Sequence, residues 1–449
     1  MLLLMLALAA PDWPRFRGPN GSGVADGQPL PAEFGPERNL IWKAAVPPGY
    51  SSPVIAGKRI FLTAAEGGVL ITLALDRATG TTLWRREVRS ARSEKLHKLN
   101  HAAAASAATD GRKVFVFFGD FGLLAYTAEG RELWRVPLGP FNNVYGMGAS
   151  PVLANGLVVL VCDQSRGSFI AAFDAATGRM RWRRERPDAV SGHSTPAVHA
   201  GRILAPGSFR LDAYDASSGK PEWSFAGLPG EMKSVPVVDG GAIYVHGFNT
   251  PENDPGKLPA IPPFEEVIRS HDHNGDGRIS RQEAPTKHIA GLFAYNDLDS
   301  DGFLDASEWA SYQRVMRAEN ALLALTLDGR LKWRFQRSIP QLPSPLVYRG
   351  VVYMVNESGV ATTIEAATGR LLKQARLRGA ADRYYASPVA GDGKVFVASH
   401  TGVITVLKAG GGQETAAVNE LDEEIMATPA LAGGRIYVRS RSTMWCFGR

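Results

Sequence analysis

A unit of about 40 to 55 residues recurs along this 449-residue chain, and the recurrence restricts the fold more than any other feature. Each unit opens with Ser/Thr-Pro-apolar, passes a Gly turn and enters a β-rich strand. A second strand then ends in Asp-x-x-Thr-Gly, and a Trp closes the unit. The clearest copies run from Ser52-Pro53-Val54 to Trp84, from Ser150-Pro151-Val152 to Trp182, and from Thr195-Pro196-Ala197 to Trp223. Weaker starts lie at Ser106-Ala107-Ala108, ending at Trp134, and at Val235-Pro236-Val237, ending after a long interruption at Trp333. Ser344-Pro345-Leu346, Ser387-Pro388-Val389 and Thr428-Pro429-Ala430 bring the starts to eight.

Segments such as Ile60-Phe61-Leu62-Thr63 and Val114-Phe115-Val116-Phe117 carry the β-branched and aromatic residues of strands. Asp76-Arg77-Ala78-Thr79-Gly80 and Asp174-Ala175-Ala176-Thr177-Gly178 are turns, in which the Asp side chain bonds backbone amides and Gly takes a positive φ. Pro tolerates the first position of a strand, and the repeated Trp offers a flat surface for packing between units. Repeats of this length with about four strands each predict an all-β chain, an eight-bladed β-propeller. The eighth unit ends at Met444-Trp445-Cys446-Phe447, one strand short, and Asn39–Val46 supplies the missing strand. An N-terminal strand is therefore expected to complete the last blade and close the ring, removing exposed sheet edges. Cys162 and Cys446 fall in non-adjacent blades, so no disulfide between them is expected.

The signature Asp-x-x-Thr-Gly-x-x-x-Trp resembles the repeat of the pyrroloquinoline-quinone (PQQ)-type propellers. The segment Trp13-Pro14-Arg15-Phe16-Arg17-Gly18-Pro19-Asn20-Gly21 resembles the opening of secreted bacterial PQQ-like propeller proteins. The resemblance covers residues 12–249 and 320–449 and speaks to fold more than to activity. It implies two classes of function. PQQ alcohol dehydrogenases hold their quinone near the axis with a calcium ion and two adjacent cysteines. This chain has no adjacent pair, so PQQ is not expected as its cofactor. Noncatalytic propellers of this type, such as the propeller lipoprotein of the outer-membrane β-barrel assembly machinery, offer their loops to partners.

The fifth unit is interrupted between Gly247 and Ala321, and the insertion, residues 250–319, carries two twelve-residue loops. The first supplies Asp272, Asn274, Asp276, Arg278, Ser280 and Glu283 at positions 1, 3, 5, 7, 9 and 12. The second supplies Asp297, Asp299, Asp301, Phe303, Asp305 and Glu308. Oxygen ligands at 1, 3, 5, 9 and 12, a backbone carbonyl at 7 (hence Arg278 and Phe303) and Gly at 6 form the EF-hand calcium pattern. Two calcium ions are expected. Loop two offers five carboxylates against three in loop one, and is ranked the tighter. Ile279 and Leu304 occupy position 8, where paired EF-hands form a short β-bridge, so a small α-helical EF-hand pair is expected as one inserted unit. The insertion is read as peripheral to the ring.

Residues 1–10, apolar and followed by Pro11-Asp12, read as a short signal peptide, which places the protein in the periplasm or outside the cell. No other segment is long enough to span a membrane. Residues 252–319 hold 13 acidic and 7 basic side chains, a net of −6, so the rest carries +12 of a chain whose formal charge is +6. Its arginines are dispersed rather than clustered, which describes a solvated surface, and no nucleic-acid partner is expected. The loops entering the blades should converge on one mouth of the axis. They carry His97, His101, Asn142, Tyr145, His193, Lys233, Arg383, Tyr384 and Glu424, a candidate funnel for a ligand. No hydrolase elbow, zinc motif or phosphate loop is present, and no catalytic residue is assigned. The function expected is a monomeric, calcium-binding, noncatalytic scaffold for a protein or polysaccharide partner. The alternative is a PQQ dehydrogenase-like oxidoreductase using the axial funnel.

Overall fold

In the computed structural model, residues 13–380 and 382–449 are described, and the signal-peptide reading of residues 1–10 falls outside them. Eight four-stranded antiparallel sheets follow one another around a ring. Blade one runs from Val54 to Arg89, and blade eight is completed by Leu40–Ala45, which pairs with Thr443–Phe447. The two ends of the chain thus meet in one sheet, as the strand deficit of the eighth unit predicts. Among the described residues no helix is long and apolar enough to cross a membrane.

The repeat motif is legible as seams between blades. The Trp of one blade lies flat on the turn glycine of the next: Trp42 on Gly80, Trp84 on Gly130, Trp134 on Gly178, Trp182 on Gly219, Trp223 on Gly329 and Trp333 on Gly369. Each of these glycines has a positive φ, and a Cβ there would lie 2.5–2.7 Å from the indole. Five of the six indoles also donate to a backbone carbonyl of the neighbouring blade; the Trp84 Nε1–Ala128 O bond is 2.9 Å. In blade six, which lacks the Trp, Leu372 packs against Gly411 of blade seven instead.

The Ser/Thr of seven of the eight unit starts form a second, inner ring. The backbone N–H of Ser52 donates to Ser106 Oγ, Ser106 to Ser150, and Ser150 to Thr195. Val235 then donates to Ser344, Ser344 to Ser387, Ser387 to Thr428, and Thr428 back to Ser52, at 2.8–3.0 Å throughout. The link from Thr195 to the fifth blade is missing because Val235 has no hydroxyl. These bonds satisfy amides facing the narrow axis, where an unpaired buried group would cost about 1–3 kcal/mol.

Residues 13–25 cross the end of the axis beyond this ring. Trp13 bridges to Ile55 of blade one, Arg15 donates to Pro196 O (2.5 Å), Arg17 to Pro345 O (2.7 Å), and Ala25 bonds Ala390. Burial lowers the arginine pKa values to about 10 at Arg15 and about 9 at Arg17. Arg439 of blade eight is likewise buried, donates to Ser51 O and Thr63 O of the first blade's edge, and is lowered to about 9 by desolvation. The plug leaves the opposite end of the axis as the open mouth. Cys162 and Cys446 are free and buried, in blades three and eight.

The fifth blade carries the insertion between its second and third strands, Ala242–Gly247 and Ala321–Thr326. It folds as helices α1 (Phe264–His271), α2 (Lys287–Gly291), α3 (Phe293–Asn296) and α4 (Ala306–Arg317). The Ala284-Pro285 segment leaves no helix immediately after loop one, and α2 begins only after Thr286 caps Ile289 N–H. Ile279 pairs with Leu304 in a two-stranded bridge between the loops. Val267, Ile279, Ile289, Phe293, Leu304, Trp309, Tyr312 and Met316 form a core of its own. Buried asparagines tie the entering and leaving segments of the insertion together, and Asn249, where the blade gives way to it, donates its Nδ2 to Val315 O (3.1 Å). Asn253 Nδ2 donates to Val315 O (2.8 Å) and Ala318 O (2.9 Å), and Asn320 Nδ2 to Thr250 O (2.8 Å).

Candidate functional site: the calcium loops and the axial mouth

Both loops turn at a position-6 glycine, Gly277 (φ 76°) or Gly302 (φ 89°). In loop one, Asp272 accepts the amides of Gly275 (2.7 Å) and Gly277 (2.9 Å), while Glu283 accepts from Ser280 N and Oγ. Those bonds from Ser280 pull the Glu283 carboxyl down to about 2. In loop two, Asp297 accepts from Gly302 N (3.1 Å), and Glu308 accepts from Leu298 N (2.7 Å) and Asp305 N (3.1 Å). Asp305 and Glu308 also form the capping box of α4. One oxygen each from Asp297, Asp299 and Glu308 lies within 4.8 Å of the others, the one such cluster among the described residues. An oxygen set gathered by loop amides matches what a hard, oxygen-seeking cation requires, so the residues fit calcium. Asn274 and Asp276 of loop one remain exposed, as do Asp299 and Asp301 of loop two.

The insertion is not peripheral, as its sequence position suggested. Closure of the ring sets it beside the mouth, against blades two to four. Asn142 Nδ2 donates to Leu298 O (3.2 Å), Tyr145 packs on Tyr295 (5.3 Å between centroids), and Arg314 of α4 lies over Phe209 and 3.4 Å from Asp188.

The mouth is a cavity of about 740 Å³ lined by His97, Asn100, Tyr145, His193, Lys233, Gln341, Glu357, Arg376, Arg383 and Tyr385, among others. It continues into a narrower space of about 190 Å³ reaching the hydroxyl ring and Phe16. Tyr145 is its centrepiece. Its ring packs edge-on against His97 and His193, and its hydroxyl donates to Glu231 Oε1 at 3.1 Å. Burial and Glu231 push the phenol up. The other Glu231 oxygen holds Lys233 Nζ at 2.5 Å. Burial and then Lys233 lower His193 to about 4, so its ring is neutral near pH 7. Glu357, half-buried in the wall beside Gln341, accepts from the amides of Gln341 and Leu342, and desolvation raises its pKa.

Five of the nine funnel candidates lie here: His97, Tyr145, His193, Lys233 and Arg383. Four do not. Tyr384 is fully buried in the core between blades six and seven, because neighbouring residues of an extended segment face opposite ways and Arg383 and Tyr385 take the mouth side. Glu424 is exposed and faces Arg441 at 3.7 Å. His101 packs on Tyr50 and accepts the Ala103 amide, and Asn142 is taken by the inserted module. Sequence reasoning missed Glu231, Glu357 and Tyr385. No motif marks them, although Glu231 stands two residues before Lys233 on the same blade-entry loop.

Comparison with known proteins agrees with this architecture. The family model described as outer membrane protein assembly factor BamB, of the PQQ-repeat type, matches residues 36–193, 166–255 and 308–449, and an EF-hand model matches 264–283 and 289–316. The chain is 22% identical over 407 residues to the outer membrane protein assembly factor BamB of Yersinia pestis, covering 84% of this chain and 90% of that one. It is 29% identical over 238 residues to the serine/threonine-protein kinase AfsK of Streptomyces coelicolor, covering 51% of this chain and only 26% of the kinase. Among solved structures, a europium-containing methanol dehydrogenase superposes with a TM-score of 0.65 at 9% identity, over 98% of both chains, a likeness of fold alone. With its repeats matched over most of its length, the chain belongs to the PQQ-repeat propeller family described as outer membrane protein assembly factor BamB.

Proposed function

We propose that this protein is a calcium-binding propeller of the bacterial cell envelope, periplasmic or secreted, that acts as a noncatalytic scaffold for a protein or polysaccharide partner. The observation that carries the reading is the pairing of charges within the mouth. Lys233 and Tyr145 are both committed to Glu231, and Glu357 to two backbone amides. A polar wall with these groups paired, next to aromatic rings and with His193 Nε2 left unpartnered, suits recognition, in which preorganised groups lose little entropy on binding. The Yersinia pestis relative, named for outer membrane protein assembly, is consistent with a partner-binding role.

Calcium is assigned to Asp272, Asn274, Asp276, Ser280 and Glu283 with the Arg278 carbonyl, and to Asp297, Asp299, Asp301, Asp305 and Glu308 with the Phe303 carbonyl. Two filled loops would neutralise the carboxylates crowded at the module's tip and hold its helices to one another. Loop two is the tighter, since its oxygens are already gathered. The mouth does not reproduce the cysteine cradle of quinone enzymes, since both cysteines are buried away from it in blades three and eight. Capture experiments from envelope extract, with and without chelator, test the scaffold reading. A specific partner retained by wild type and lost when Tyr145→Ala and Lys233→Ala open the mouth supports it. Oxidation of alcohols or sugars by the PQQ-reconstituted protein overturns it.

A further inference from the structure

Blade three reaches into the second calcium loop. Arg166, on the hairpin between Leu157–Cys162 and Phe169–Asp174, places Nη2 3.0 Å from Asp299 Oδ2 and 3.6 Å from Glu308 Oε1. These carboxylates occupy positions 3 and 12 of the loop, and Glu308 is only 2% exposed. The arginine belongs to the propeller and its partners to the inserted module, so the ion pair is also a docking contact. The other cation at loop two, Arg278, faces Asp301 at 3.0 Å but comes from within the module, and its displacement would move nothing against the ring.

An EF-hand calcium takes both oxygens of the position-12 glutamate and one from position 3. A doubly charged cation on those oxygens repels a guanidinium bridging the same groups, and withdraws the negative charge that holds it. We propose that calcium and Arg166 compete for Asp299 and Glu308, so that filling loop two loosens the module from blade three and widens the axial mouth beside Tyr145. The inference rests on the calcium-binding reading above. Without the arginine pair, the docking face keeps the Asn142–Leu298 hydrogen bond, the Tyr145–Tyr295 contact and the Arg314–Asp188 pair. The bonds of buried Asn249 at the base, from Nδ2 to Val315 O and from its amide to Asn320 Oδ1, are untouched and serve as the pivot. The mouth is the cavity that would respond, because Tyr145 lines it while packing on the module.

The test uses the full chain with calcium as the probe. Calorimetric titration of wild type, Arg166→Ala and Arg166→Met, with Glu308→Gln to identify the loop-two heat, measures the competition. A half-exposed ion pair contributes up to about 1 kcal/mol, so both arginine variants should bind calcium at loop two about three- to fivefold more tightly. Spin labels at Ser270→Cys and Lys220→Cys, both exposed positions, report the module against the ring. The buried native cysteines should stay unlabelled. Calcium should lengthen or broaden the label distance in wild type, and Arg166→Ala should show that distribution before calcium is added. Unchanged or weaker calcium binding in both arginine variants overturns the proposal, as does a distance that calcium leaves alone or sharpens. Absence of any calcium heat in every protein would instead remove the calcium reading itself.

Discussion

Replacing Gly178 by Ala should break one blade seam by a predictable amount. Gly178 sits at φ +73°, and a Cβ there would lie 2.7 Å from Cδ2 of Trp134. Two costs follow. The left-handed conformation penalises any L side chain by about 1–2 kcal/mol, and alanine recovers about 0.4–1 kcal/mol through the unfolded state. Overpacking against the indole adds about 1–3 kcal/mol. Gly156 separates the terms, because it lies in the same blade at φ +75° with nothing within 4 Å of the added Cβ. Gly156→Ala should therefore cost at most about 1.6 kcal/mol, and Gly178→Ala about 1–3 kcal/mol more. Urea denaturation of both variants reads the difference. Combining Gly178→Ala with Trp134→Leu should recover most of the excess, since the two residues touch. Equal destabilisation at both glycines, or no recovery in the double variant, would refute the claim that the Asp-x-x-Thr-Gly turn exists to seat the neighbouring Trp.

Three further outcomes follow from the same structure. Val235→Thr should supply the hydroxyl missing from the inner ring for the Thr195 amide and raise stability by about 0.5–1.5 kcal/mol, read as a higher denaturation midpoint; an unchanged or lower midpoint counts against the ring. Burial raises the Glu94 carboxyl to about 7. The folded state therefore holds a proton that the unfolded state has released, and stability falls as pH rises from about 4.5 to about 7; Glu94→Gln should flatten that slope, and an unaltered slope would place the titration elsewhere. Chelation should raise hydrogen exchange across residues 264–317, whose core is separate from the blades, and leave the blade strands protected; equal deprotection of ring and insertion would show that the two do not fold as distinct units.

Much of the fold could be read from the sequence because each repeat element serves a local contact. The turn Asp bonds its own backbone, as Asp76 Oδ1 does with Ala78 N and Thr79 N, and the Trp and Gly meet one blade on. The EF-hand loops are equally local, with twelve consecutive residues holding the whole ligand set. Sequence alone explains the Ser/Thr-Pro start through its proline, whereas its hydroxyl closes the inner ring, a role visible only once eight units stand in a circle. The mouth was legible in part, with five of nine expected residues lining it. Of the adjacent candidates Arg383 and Tyr384, the side-chain alternation of an extended segment keeps Arg383 at the mouth and brings in Tyr385 instead of Tyr384. The docking of the module was not legible at all, since Arg166 meets Glu308 only after ring closure has brought distant segments together.

The central claim is that the inserted EF-hand pair binds calcium while the ring stands independently of it. Calcium titration of the chelated full chain, alongside the double variant Glu283→Gln/Glu308→Gln, tests it most directly. Removing the position-12 carboxylate charge from both loops should abolish the binding heat and leave the β-sheet circular dichroism of the propeller unchanged. Binding that survives the double substitution, or a wild-type chain that binds no calcium, would contradict the account.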